Sequence, residues 1–226
     1  MIVDVWSDIA CPWCTVGRQH LLKALEEFEG DVELRWRSFE LNPSAPAAVH
    51  GDYAQQLADK YGMPVEKARG WMDEMQERAA PFDLEFDWKT LKAGNTFKAH
   101  QVLHLATQHG LQDALKSRLF NAYFSEGALM SDDDTLVTLC VEVGLDEAEV
   151  RDALAKETFA SEVRGDQQLA QQLGVSGVPF FVFDRRVAVN GAQPPEVLLQ
   201  ALRQTLETAE PKAESAPVCG PDGCAI

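Results

Sequence analysis

At 226 residues, with 46% hydrophobic and 25% charged side chains, the chain has the make-up of a globular protein. A chain of this length buries about 70% of its unfolded surface and folds without disulfide staples. Its formal net charge of −16 repels phosphate backbones and anionic lipid head groups, which sets nucleic acids and membrane surfaces aside as partners.

No apolar stretch approaches the roughly 18 residues of a membrane span. The opening residues carry Asp4 and Asp8 where a secretory signal carries basic residues, so a cytoplasmic location is expected. Residues 2–6 are β-branched and aromatic and predict a strand. From Pro12, the residues Val16, Leu21, Leu22, Leu25 and Phe28 recur at helical spacing as far as Gly30. Residues 32–39 alternate apolar and polar, as a half-buried strand does. A parallel strand–helix–strand unit is the expected result.

Beyond Asn42-Pro43 the pattern turns helical, over 52–61, 64–79, 94–109, 112–124, 132–142 and 147–172. The Ser131 start is followed by acids in the first turn. Strand character returns at 178–183. A turn at Asp184-Arg185-Arg186 and the short run 187–189 predict a β-hairpin, and a last helix is expected over 194–208. Residues 209–218 carry no core-forming pattern and predict a solvated linker.

Five cysteines are present. Cys140, within Leu139-Cys140-Val141, reads as a small buried hydrophobe. Cys11-Pro12-Trp13-Cys14 stands where the first strand gives way to the first helix. Unpaired N–H groups and the helix dipole there favour a thiolate, so Cys11 is expected to be an exposed nucleophile with a pKa of about 3.5–7.5. Cys14, one turn along, is expected to resolve the mixed disulfide. Pro12 suits the first helical position because its missing N–H costs nothing there. Half of a zinc site is the competing reading, but the second close pair, Cys219 and Cys224, has a different spacing and follows the solvated linker.

The Cys-Pro-Trp-Cys motif, together with Ser176-Gly177-Val178-Pro179-Phe180-Phe181-Val182, resembles the DsbA branch of the thioredoxin superfamily. Trp36-Arg37-Ser38-Phe39-Glu40-Leu41 and Asn95-Thr96-Phe97-Lys98-Ala99-His100 are similar to its FrnE-like members. The resemblance covers about residues 1–208. It implies an α/β thioredoxin fold split by a large all-helical insertion: residues 1–42 and 160–208 would form the thioredoxin-like domain, 43–159 the insertion and 209–226 a flexible tail. It further implies a cis peptide at Val178-Pro179 facing the cysteines, with Val178 backbone groups free to hold an extended substrate as an added strand. Trp13 departs from the periplasmic oxidants, which carry histidine in that slot. An indole supplies no charge to a thiolate, so a less oxidising couple is expected.

The activity so implied is dithiol exchange on protein disulfides, with isomerase and reductase character. It requires no bound cofactor, takes disulfide-containing or unfolded proteins as substrates, and draws on a thiol reductant such as glutathione or thioredoxin. A homodimer through the insertion is compatible with it. Two alternatives stay open. One is a glutathione-dependent isomerase or transferase resembling the kappa-class and hydroxychromene-carboxylate isomerase enzymes, although that group generally carries serine where Cys11 stands; the other is a chaperone-like peptide-binding module.

Gly220-Pro221-Asp222-Gly223 suits a type I turn, which brings Cys219 and Cys224 within disulfide reach. The tail pair is open to three readings: an electron shuttle to Cys11–Cys14, a soft-metal site, or an idle extension. His100 and His104, at i and i+4, are expected to be a packed, hydrogen-bonded pair rather than metal ligands. Trp71, Met72 and Met75 are expected in the core, and Asp4 and Asp8 in solvated or turn-forming roles rather than as proton relays to Cys14.

Overall fold

The computed structural model describes residues 1–209. Strand β1 (Ile2–Ser7) leads through helix α1 (Pro12–Glu26) into β2 (Glu33–Ser38). The two strands pair in parallel with Ile2 opposite Glu33 and Ser7 opposite Ser38, as the opening unit predicts. A long helical stretch follows: α2 (Tyr53–Tyr61), α3 (Val65–Ala79), a single 3-10 turn (Ala80–Phe82), α4 (Phe97–Gln108), α5 (Gln112–Ser125), α6 (Asp133–Glu142), α7 (Glu147–Ala155) and α8 (Ala160–Gln172). Strands β3 (Phe180–Phe183) and β4 (Val187–Asn190) form the expected hairpin, and α9 (Pro195–Ala209) closes the described chain. The sheet order is β2-β1-β3-β4, with β1 and β3 antiparallel. This is a thioredoxin fold of the DsbA type, with helices inserted between β2 and β3.

Alternation along β1 decides what covers each face, since successive side chains point to opposite sides of a sheet. Val3 and Val5 pack with Phe181 and Phe183 against Leu21 of α1 and Leu198 and Leu202 of α9. Trp6 turns to the other face and packs with Val182 against Ala170 of α8. Helix α8 is fastened by a buried carboxylate. Asp166 accepts hydrogen bonds from the Ser38 N–H at 2.9 Å and from the Arg37 guanidinium at 3.1 Å, while its own carbonyl accepts from the Trp6 indole at 2.9 Å.

Three of the departures from the sequence reading have a clear local cause. The helix expected over 147–172 is two helices. Glu157 adopts φ +49, and the Thr158 N–H returns to the Ala153 carbonyl, so the chain turns before buried Phe159 starts the next packing surface. Helix α1 stops at Glu26, with the Phe28 N–H closing on the Leu25 carbonyl, well before Gly30. The cap of α6 is Asp132, which accepts from the Thr135 N–H at 2.8 Å, whereas Ser131 donates to the Ala47 carbonyl.

The helices of the insertion do not form a separate core. Ile9, Cys11, Cys14 and Val16 belong to the same buried cluster as Ala99, Val102 and Leu103 of α4 and Leu115, Leu119 and Phe120 of α5. The cysteine motif therefore sits in the seam between sheet and insertion. Among the described residues, no helix is long and apolar enough to cross a membrane.

Candidate active site

The end of β1 aims the chain at this seam. Asp8 folds the turn that follows: its carbonyl accepts from the Cys11 N–H at 3.2 Å, and one carboxylate oxygen accepts from the Ala10 N–H at 3.3 Å. Cys11 then stands in extended conformation (φ −99, ψ 110) as the N-cap of α1, with Pro12 in the first turn. Cys11 and Cys14 are both free thiols. Trp13 projects outward, 40% exposed, beneath the Arg78 guanidinium of α3 at 5.3 Å.

The Val178-Pro179 peptide is cis and lies against the motif. The Cys11 thiol donates to the Val178 carbonyl at 3.5 Å, so in this form that carbonyl is occupied rather than free. Gly17 explains how the loop comes so close. A Cβ there would lie 2.7 Å from Pro179 Cγ and 3.4 Å from Phe181, too near for any residue but glycine without a shift.

Two expectations for Cys11 are overturned. It is not exposed: only 3% of its surface is accessible. Nor is its pKa lowered. The Cys14 side chain hydrogen-bonded to it, then burial, push the Cys11 thiol well above the ordinary cysteine value. The nearby Asp8 charge adds to this, and the Cys14 backbone N–H, which favours the thiolate, is outweighed. Donation to a carbonyl stabilises the thiol form in the same sense.

Beneath the sulfurs lies a buried set of charged and titratable groups. Asp8 is 2% exposed and its second oxygen accepts from the Leu41 N–H at 2.8 Å. Burial opposes its ionisation, but His100, the Leu41 N–H and Thr96 outweigh it and hold the carboxyl below its usual value. His100 Nε2 stands 3.4 Å from Asp8 Oδ1, and burial pushes the imidazole pKa down against that attraction. Lys116 of α5 is fully buried, with Nζ 3.5 Å from the Ser7 carbonyl and 4.9 Å from the Phe120 ring centre. Burial brings its pKa down to about 8, against the pull of Cys14, Asp8 and Cys11 and with Arg18 adding to the effect. Tyr53 is close as well; burial and then the Cys11 sulfur push its phenol up.

The residues declined as sites from sequence divide differently in space. Asp8 does form a turn, but it is buried under the cysteines, and Asp4 is buried against Arg37 at 2.7 Å rather than solvated. His100 and His104 are both packed, yet not with each other: His104 Nε2 meets Ser38 Oγ at 3.0 Å and Asp166 at 3.2 Å. Met75 is buried, whereas Trp71 is exposed and stacks edge-on to Tyr61. Cys140 is buried, and burial pushes its thiol up to about 12. No group of three or more metal-ligating side chains converges among the described residues. Cys219 and Cys224 lie outside the described residues.

Sequence reasoning missed Lys116, Gly17 and Tyr53. Lys116 had a signal, since it falls in phase with the apolar stripe Leu115, Leu119 and Phe120. Gly17 had none, because its partner Pro179 lies far along the chain.

Comparison with known proteins agrees with this geometry. A crystal structure of a probable DsbA oxidoreductase, SCO1869 from Streptomyces coelicolor, is 43% identical and superposes with a TM-score of 0.89, covering 100% of this chain and 99% of that one. YwbO, an uncharacterized protein of Bacillus subtilis (strain 168), is 29% identical over 202 residues, 88% of this chain and 94% of its own length. The cytosolic disulfide reductase DsbM from Pseudomonas aeruginosa shares the fold at 19% identity, with a TM-score of 0.65 over 92% of this chain and 100% of that one. The model of the DSBA-like thioredoxin domain matches residues 2–203, and the chain belongs to that family.

Proposed function

We propose that this protein is a dithiol–disulfide exchanger of the FrnE-like kind that reduces and isomerises protein disulfides in the cytoplasm. The observation that carries the reading is Cys11 at the N-terminus of α1, with Cys14 one turn on and the Val178-Pro179 loop against its sulfur. In the reaction, the Cys11 thiol gives up its proton and attacks one sulfur of a substrate disulfide; a mixed disulfide forms and the other substrate sulfur leaves, taking up a proton to become a thiol. Cys14 then loses its proton and attacks Cys11. The substrate departs with both sulfurs reduced, and the Cys11–Cys14 disulfide is returned to dithiol by a small or protein thiol.

The ionisation supports one direction of exchange. A strongly oxidising couple needs its reduced form stabilised as thiolate. Here Cys14, burial and the Asp8 charge all favour the protonated Cys11, which supports a reducing couple. The name of DsbM, a cytosolic disulfide reductase, agrees with that direction and location.

Trapping tests the reading. Cys14→Ala is expected to hold protein partners on Cys11 as mixed disulfides and to abolish insulin reduction. Recovery of only small thiols on Cys11 would replace it with the glutathione-dependent alternative. A role for the tail pair is tested by replacing Cys219 and Cys224 with serine, for which slower turnover is expected; unchanged turnover removes the shuttle.

A further inference from the structure

The sheet face under α8 is only partly covered. Between α8 and the β3–β4 hairpin runs a groove of about 400 Å³, within the size range of small-molecule sites. Trp6, Phe180 and Val182 line it from the sheet, with Trp6 and Phe180 edge to face at 6.4 Å. Leu169 of α8 and Leu173, the residue that caps its C-terminus, form the opposite wall and are 38% and 48% exposed.

The rim is cationic in a strongly acidic protein. Eight of the eleven arginines stand against a carboxylate, and Arg203 of α9, away from the groove lining, makes no ion pair among the described residues. Arg185 and Arg186, which border the groove, are exposed and make no ion pair among the described residues. The turn that carries them is held firmly. Asp184 accepts from the Ile2 N–H at 2.6 Å and returns its own N–H to the Ile2 carbonyl at 2.8 Å, and both Asp184 and Arg185 adopt positive φ. The one acid on the groove, Asp4, is neutralised by Arg37 at 2.7 Å.

We infer that this groove binds an aliphatic carboxylate, its hydrocarbon body between Leu173 and Phe180 and its carboxylate at Arg185 and Arg186. The guanidinium fork matches a planar carboxylate in two-point geometry, and two cations on one rigid turn suit a single anionic head. No residue of the cysteine motif lines the groove, and the inference does not rest on the exchange reading.

The full-length protein titrated with sodium decanoate below its micelle concentration, followed by calorimetry, tests this. Saturable one-site binding is expected, weakened roughly tenfold or more by the double variant Arg185→Ser/Arg186→Ser and similarly by Leu173→Asp. Decanol and acetate, which each lack one half of the ligand, are expected not to saturate over the same range. Thermal midpoints and insulin reduction close to the parent show that both variants fold. Absence of saturable decanoate binding overturns the proposal. So does binding that both variants leave unchanged, or decanol binding as tightly as decanoate.

Discussion

Gly17 and Lys116 show how single residues shape the chemistry here. Because a Cβ at position 17 would meet the Pro179 ring at 2.7 Å, Gly17→Ala is expected to destabilise the fold by about 1–3 kcal/mol. It should also slow disulfide exchange more than its stability loss explains, since the loop must move off Cys11; urea denaturation alongside insulin reduction separates the two effects. Lys116 acts through charge. The unfolded chain keeps this lysine protonated up to about pH 10.4, whereas burial in the folded state brings it to about 8. Below pH 8 both states hold the proton and the buried ammonium costs stability. Between pH 8 and about 10.4 only the unfolded chain holds it, so that cost is relieved as pH rises, by about 3 kcal/mol at most. Lys116→Met is therefore expected to be more stable than the parent at pH 7, by a margin that shrinks towards pH 10. Denaturation curves with a constant difference across that window would refute the assignment.

Among the elements, α8 depends on one carboxylate. Asp166 serves the Ser38 N–H and the Arg37 guanidinium from a buried position, and His104 stands 3.2 Å away. Asp166→Ala leaves those groups without their acceptor and is expected to cost about 2–4 kcal/mol, measured by chemical denaturation. Elements with local signals were legible in the sequence. The strand runs and the 3.6-residue periodicity located the sheet and helices of 53–142, because each of those patterns lies within the element itself. The break near Glu157 was not legible: nothing in Lys156-Glu157-Thr158 demands a positive φ, and tertiary burial of Phe159 decides it. The same division holds at the site. Cys11, Cys14 and the Val178-Pro179 loop were readable from their motifs. The burial of Cys11 and the groups under it arise from chain segments that meet only on folding, and so does the raised thiol pKa.

For the molecule as a whole, the shared core is the governing fact. The cluster that holds Cys11, Cys14 and Val16 continues without a break into Leu115 and Leu119, so neither part keeps its interior intact alone. Leu119→Ala, which should cost about 2–5 kcal/mol, is expected to lower the unfolding midpoint of the entire protein in one transition. Far-ultraviolet and near-ultraviolet circular dichroism should then give the same midpoint, and two resolved midpoints would show that the insertion melts independently. The Lys116 ammonium also stands 5.5 Å from the ring centre of Trp36, whose indole N–H is fixed on Asp113 at 2.9 Å. An indole so anchored beside a cation that feels both sulfurs is expected to report on the cysteine pair, with a Trp13→Phe variant separating its signal from that of the motif tryptophan. The Trp36 emission should shift as the thiols are consumed and regenerated, giving turnover a colourless, label-free readout inside the catalyst.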